Sequence, residues 1–393
     1  MKYDSIPKAV KEKIEAVIPS EINPVPLHAP EFSQEDCELV NDCINSGWVS
    51  SAGKFVNEFE ENLAKKCDAN YAVAVVNGTA ALEVALKIVG VKAGEEIIMP
   101  SLTFVATANA ACHLGAIPHF IDVSEEDWTI SPSYLRRYLN SILTFDNKMP
   151  FNKYSGNKVA AIVPMHTFGH PAAMDELNAI CKEFDIPLVE DAAESVGSLY
   201  KGKSCGGLGL VGAVSFNGNK IITTGGGGAI ITNDENLAIR ARHLTTTAKC
   251  PHKWDYYHDE IAYNYRMPNI NAALGVAQLK SLDVKIREKR KLAVAYQNAF
   301  CDFDDVKFFT EPGWAKSNYW LNAIKLSMPN LALRNDILEV LNSAGLQSRP
   351  IWTPLHLLPM YKNMPRSEMK ATEALAHSVI NIPSSPNLAR YLL

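Results

Sequence analysis

The chain predicts an α/β protein: a large domain built on a mainly parallel sheet, followed by a smaller C-terminal α/β domain. Three observations carry this. Short apolar runs alternate with segments of helical period as far as residue 232, the pattern of strands covered by helices on both faces. Runs such as Ile186-Pro187-Leu188-Val189 are apolar at successive positions, as parallel strands buried on both sides are. With 393 residues, 47% hydrophobic and 21% charged, there is material for about two domains and a sizeable core.

Taken in order, Ile6, Val10, Ile14 and Val17 recur at helical spacing, which predicts an amphipathic helix over 6–18. Ser33-x-x-Asp36 predicts a capped helix to Ser46, stopped by Gly47. A further helix with Phe55, Phe59 and Leu63 on one face leads to Cys67. The period then changes: Tyr71–Val76 reads as a strand, Asn77-Gly78-Thr79 as a tight turn and 80–89 as a helix. A small-residue turn between a strand and a helix start is a ready anion site, although an ordinary connecting turn has the same signature. Strands at 96–99, 117–123 and 159–164 alternate with helices at 103–113, 132–142 and 175–184, and 147–158 reads as irregular. Strands at 213–216 and 229–232 close the alternation; a helix at 234–244 and a polar, aromatic loop from Thr245 to Tyr263 follow. From Asn269 a helix runs towards Leu282, and a long charged helix continues to Phe300 as a strut between domains. Beyond it, strands at 319–326 and 348–351 alternate with helices at 331–343 and 370–379. The expected domains are 1–290, with the N-terminal helix in the larger one, and 291–393.

Composition narrows the class. A net charge of −5 without a basic run argues against a nucleic-acid partner. The eight cysteines are scattered and contain no C-x-x-C pair, so they read as reduced thiols of a cytoplasmic protein. The charged start Met1-Lys2-Tyr3-Asp4 is unlike a signal core, and no apolar run approaches the ~20 residues of a membrane span.

The chemistry concentrates between Ile186 and Ile231. The apolar run 186–189 breaks into Glu190-Asp191-Ala192-Ala193-Glu194, delivering carboxylates to the crevice where α/β proteins place ligands. The strand Ala213-Val214-Ser215-Phe216 breaks into Asn217-Gly218-Asn219-Lys220, and Gly225 to Gly228 follow. A carboxylate ending one strand and a lysine just past another point to pyridoxal phosphate. Asp191 would keep the pyridine nitrogen protonated, and Lys220 would hold the aldehyde as an imine. Ser215 can offer a hydroxyl to a phosphate, and the glycines would let backbone approach a flat ring. Phe104 would stack on the cofactor or pack in the core, and Glu194 would touch the ring oxygen or lie on the surface.

Two other patterns are weaker. Gly207-x-Gly209-x-x-Gly212 spells a dinucleotide fingerprint but precedes a strand where a helix is required, so it reads as a turn-rich loop. His166-x-x-x-His170 has a metal-ligand spacing, but Gly169 and Pro171 place it in a loop, where a structural or substrate-side role is expected.

Several motifs in order carry a family resemblance: Asn77-Gly78-Thr79-Ala80-Ala81-Leu82, Pro100 to Thr107, Val189 to Glu194, Ser215 to Lys220 with Thr224 to Gly228, and Tyr263-Asn264-Tyr265-Arg266-Met267. They resemble the nucleotide-sugar aminotransferases of the DegT/DnrJ/EryC1/StrS family over nearly the whole chain. Residues 166–171 and 245–249 are most similar to its 4-aminotransferases of the legionaminic-acid type. The resemblance implies a fold-type I transferase, like aspartate aminotransferase, acting as a homodimer with shared sites. It places Lys220 on the cofactor aldehyde, Asp191 on the ring nitrogen, Gly78, Thr79 and Ser215 on the phosphate, and Phe104 on the ring. Asn264 would reach the phosphate from the neighbouring subunit. Many relatives carry Gln or His where this chain has Glu194. The expected reaction moves the amino group of L-glutamate to C4 of a nucleotide-linked 4-keto-6-deoxyhexose, N-acetylated at C2. Lys249 and Trp254 in the long loop, with Arg349 and His356, are the substrate-side candidates. The rivals are a 3-aminotransferase or 3-dehydratase, and a non-catalytic ligand sensor; Lys220 favours transamination.

Overall fold

The computed structural model describes residues 5–18 and 23–392; the charged start Met1–Asp4 lies outside them. Seven strands make the central layer. Ile117–Ile121, Glu96–Pro100 and Val159–Ile162 pair in parallel, and a parallel bridge between Ile162 and Leu188 joins them to Val189–Asp191. Next lie Val211–Ser215, parallel to 189–191, then Gly228–Thr232 and Tyr71–Val75, each antiparallel to its predecessor. Only Gly228–Thr232 runs against the rest. The predicted fold class holds, and the strand ends at residues 75, 100, 191 and 215 open on one rim.

Helices cover the sheet where predicted. The one beginning at Gln34 has the full capping box: Ser33 Oγ accepts the Asp36 amide and the Asp36 carboxylate accepts the Ser33 amide. Such a cap is worth about 1 kcal/mol. Helices Gly78–Ile88 and Met174–Phe184 pack on the sheet, the first burying Ala80 to Leu86 without a break. The helix predicted at 103–113 starts later than expected, at Ala106, because 101–104 continue from the strand as a turn. The stretch read as irregular, 147–158, includes the second strand of a hairpin, Leu143–Asp146 paired with Met149–Asn152.

Two readings are corrected in the C-terminal third. Asn269–Ala299 is one continuous 31-residue helix, about 46 Å long at 1.5 Å per residue. The boundary expected at 290 therefore falls inside it. The smaller sheet has four antiparallel strands in the order 306–308, 322–326, 379–382, 349–350, and Val379, expected as the last residue of a helix, opens the third of them. The N-terminal helix Ile6–Glu15, expected with the larger domain, packs instead into the smaller core. Ile6, Val10 and Ile14 join Leu292, Tyr296, Ile337 and Leu341 in one buried cluster. Its apolar stripe matches a surface some 290 residues away, which helical spacing alone does not reveal. No helix among the described residues is long and apolar enough to cross a membrane.

Candidate active site

The rim of the large sheet and the edge of the small one enclose a cavity of about 440 Å³. Gly78, Thr79, Phe104, Asp191, Glu194, Ser215, Lys220 and Arg349 all line it.

Each side chain arrives there for a local reason. Asn77 caps the helix Gly78–Ile88, its Oδ1 accepting the Ala80 amide at 2.8 Å. The first helical amides, at Gly78 and Thr79, lie outside the helix's own hydrogen-bond ladder and face the cavity at the positive end of the dipole. A side chain at 78 has no room: a Cβ there would stand 2.8 Å from Cβ of Ser215. The last residue of strand 211–215 and the first of the helix thus form one narrow cradle.

Asp191 ends its strand only 2% exposed. Thr107 Oγ1 donates to it at 2.7 Å and the Ala193 amide at 3.2 Å. Burial raises its carboxyl above the usual range, and these two hydrogen bonds oppose the shift. No salt bridge to Asp191 occurs among the described residues, so a largely dry anion is held by neutral donors and waits for a positive partner.

Lys220 lies past the 211–215 strand, on a turn closed by its amide donating to the Asn217 carbonyl. Its Nζ is 3.5 Å from Glu194 Oε1 and 3.8 Å from the centroid of the Trp320 ring. Burial lowers the lysine's pKa, and Glu194 and Asp191 counter it in part. Burial likewise raises Glu194 to about 7 against the pull of Lys220.

These features fit pyridoxal phosphate. The cradle offers backbone amides and the Ser215 hydroxyl to a phosphate, Asp191 lacks the cation that a protonated pyridine nitrogen supplies, and Lys220 is a desolvated amine beside both. Phe104 is 52% exposed, hence not core, and presents its ring at the cavity wall.

Other expected site residues stand outside this cavity of the single chain. None of Gly225 to Gly228 lines the cavity: a Cβ at Gly228 would meet the Asn77 backbone at 2.5 Å, so that glycine lets two chain segments meet. His356 lies outside the cavity, tied to Ser101 Oγ at 2.7 Å and Glu373 at 3.2 Å. Lys249 and Trp254 do not line it either. Lys249 sits 3.9 Å over the Tyr256 ring, and Trp254 is 67% exposed. Asn264, expected to act on a neighbouring subunit's site, is exposed and outside the wall of its own. The His166–His170 turn is structural: His166 Nδ1 accepts the Ala172 amide while Nε2 donates to Glu190 at 2.8 Å. His170 is buried against Phe309 and Tyr319, which pushes its pKa down to about 3.

Several residues gave no usable signal in the sequence. Trp320, which covers Lys220, comes from the C-terminal third, and Thr107 reaches Asp191 from 84 residues away. The false dinucleotide fingerprint has a task of its own. Amides of Gly206, Leu208 and Gly209 converge on the fully buried Glu190. Burial alone would raise Glu190, but His166 and these amides bring it below the ordinary range.

The model of the DegT/DnrJ/EryC1/StrS aminotransferase family matches residues 30–391. EpsN of Bacillus subtilis (strain 168), provisionally named a pyridoxal phosphate-dependent aminotransferase, is 38% identical over 335 residues, covering 85% of this chain and 83% of its own length. GDP-perosamine synthase of Escherichia coli O157:H7 is 36% identical over 367 residues, covering 93% and 94%. The crystal structure of a DegT DnrJ EryC1 StrS aminotransferase from Brucella abortus superposes with a TM-score of 0.81 at 26% identity, covering 91% of this chain and 94% of that one. With the cavity's lysine, aspartate and phosphate cradle in place, the conclusion is direct: the chain belongs to the DegT/DnrJ/EryC1/StrS aminotransferase family.

Proposed function

We propose that this aminotransferase, a pyridoxal phosphate enzyme, moves the amino group of L-glutamate to C4 of a nucleotide-linked 4-keto-6-deoxyhexose. The observation that carries this is one cavity holding a desolvated lysine, a buried aspartate without a cation and an anion cradle at a helix start. The named product of the Escherichia coli relative, GDP-perosamine, supports a nucleotide-sugar acceptor. N-acetylation at C2, the C4 position and a role in surface-glycan biosynthesis extend the reading further.

Bound in the cavity, the cofactor supplies an electron sink next to the reacting carbon. The chain's residues do the rest. The Gly78 and Thr79 amides and the Ser215 hydroxyl hold the phosphate. Asp191, kept in place by Thr107 and Ala193, would hold a proton at the ring nitrogen. Phe104 covers one ring face. Lys220 Nζ, the amine lining the cavity, would carry the proton that the substrate carbon loses. Arg349 reaches the cavity from the small sheet and has no salt-bridge partner among the described residues, which suits the α-carboxylate of glutamate. The exposed Trp254, Tyr256, Tyr257 and Ile261 of one loop offer apolar side chains that a second copy would cover, in a homodimer. Asn264, on the same stretch, would then face the partner's phosphate.

The test is transfer of label from ¹⁵N-glutamate to 3-keto and 4-keto hexoses carried on UDP, GDP and CDP. Label at C4 of a product sugar supports the proposal. Label at C3 makes the enzyme a 3-aminotransferase, and no labelled sugar from any donor sinks the acceptor assignment.

A further inference from the structure

Glu194 is placed to do more than contact a cofactor, and the geometry that says so belongs to the chain alone. Its side chain is 2% exposed and that of Lys220 13%. Oε1 faces Lys220 Nζ at 3.5 Å, while Oε2 accepts the Phe168 amide at 2.9 Å. The Glu194 carbonyl accepts Asn318 Nδ2 at 2.9 Å, so the residue is held at both ends. Nζ also stands 3.8 Å from the centroid of the Trp320 ring, whose Nε1 donates to the Asn219 carbonyl at 2.8 Å. The lysine head therefore meets one carboxylate and one indole face.

The other charged or titratable groups facing the pair are few. Asp191 comes from the end of its strand, with its oxygens taken by Thr107 and Ala193. His28 comes from the N-terminal segment and feels Lys220, Lys285 and Lys289. Lys289, from the long helix, spends its Nζ on the carbonyls of Trp320 and Ser384. His166 acts on Asp191 from behind the strand. No other residue is in salt-bridge contact with either member of the pair among the described residues.

We propose that Glu194 and Lys220 share one proton, Glu194 taking it from the ammonium so that the amine is freed without a proton leaving the cavity. Lys220–NH₃⁺ and Glu194–COO⁻ become Lys220–NH₂ and Glu194–COOH; no atom or net charge is lost. The charged arrangement must bear the desolvation of two ions, which their attraction offsets only in part. The neutral arrangement bears neither, so the two lie close in free energy. Burial moves both groups in this direction, Glu194 upward and Lys220 downward. Once Lys220 is committed to an imine, Glu194 keeps the proton as a carboxylic acid aimed at the space Nζ occupied. A glutamine at 194 is no base and could not take the lysine's proton.

The test uses the full-length, cofactor-free protein and reads the two protons directly. Isotope-edited infrared spectra with labelled glutamate are recorded on wild type, Lys220→Met and Lys220→Met/Glu194→Gln. At neutral pH the wild type should already show part of the C=O stretch of a protonated carboxyl, the single variant should show it in full, and the double variant should lack it. Reciprocally, the pH midpoint for acylation of Lys220, followed by mass spectrometry, should fall by about one unit or more in Glu194→Gln, as for any strongly interacting pair. A missing carboxyl band in Lys220→Met, or an unmoved midpoint in Glu194→Gln, overturns the proposal. Neither readout needs cofactor or substrate, so failure here leaves the aminotransferase reading standing, and failure of that reading leaves this test intact.

Discussion

The rim of the large sheet and the loop 245–263 both hold residues expected to act on substrate, but the chain builds them differently. At the rim, Asp191 and Ser215 sit at strand ends and Gly78 at a helix start, each fixed by backbone hydrogen bonds before any ligand arrives. In the loop, Tyr256 is 81% exposed, Tyr257 64% and Ile261 90%, with little of the fold packed over them. The rim is thus preorganised and costs stability through buried charge; the loop costs nothing and awaits a surface. Function at the rim should fail when one atom is changed, and function at the loop should fade gradually.

Lys220→Ala tests that contrast hardest. Transamination should drop by more than about 10³-fold, the scale of losing a positioned acid–base group, while the far-ultraviolet circular dichroism is unchanged. Asp191→Asn should cost about 10²-fold or more, the scale of one preorganised electrostatic partner. Gly78→Ala should weaken cofactor retention and lower stability by about 1–3 kcal/mol, because its Cβ meets Ser215 at 2.8 Å. On the loop, Lys249→Asp should raise the nucleotide-sugar KM by ~10-fold, about 1.4 kcal/mol, with kcat little changed. Stability should shift by no more than about 0.5 kcal/mol, as at other exposed positions. An unchanged KM would remove the loop from the sugar site.

The smallest effect is a pH dependence. Glu194 titrates at about 7 in the folded chain against 4.5 when unfolded, so the folded state binds more protons between those values. By linkage, stability falls as pH rises across that window. In the cofactor-free protein, the wild-type Tm should therefore decline between pH 4.5 and about 7 relative to Glu194→Gln. A flat difference would mean that the carboxylate is better solvated than the geometry implies.

How much was legible in the sequence follows the same division. Asp191, Ser215 and Lys220 could be read because strand ends fix them, and a strand end shows as an apolar run breaking into polar residues. Gly78 and Thr79 could be read because a strand–turn–helix step has a local signature. Trp320 and Thr107 could not, since they meet Lys220 and Asp191 only through folding over about 100 and 84 residues. Glycines misled once: Gly228 accommodates the chain instead of a ring. Those before the 211–215 strand, read as a turn-rich loop, are one, and their amides surround Glu190. The N-terminal helix was legible as a helix but not as a part of the smaller core, because periodicity names a buried face and not its partner. His356 was placed at the substrate on residue type alone, and its hydrogen bonds to Ser101 and Glu373 hold it elsewhere.

The central claim is that Lys220, backed by Asp191, carries a pyridoxal cofactor through an amino-transfer half-reaction. The most direct measurement is the absorption spectrum of the purified protein, reconstituted with pyridoxal phosphate, before and after L-glutamate, repeated on Lys220→Ala. The account predicts a visible band in the wild type that moves to the ultraviolet with glutamate, and no such shift in the variant. A wild type with neither band nor shift, or a variant that responds like the wild type, contradicts it.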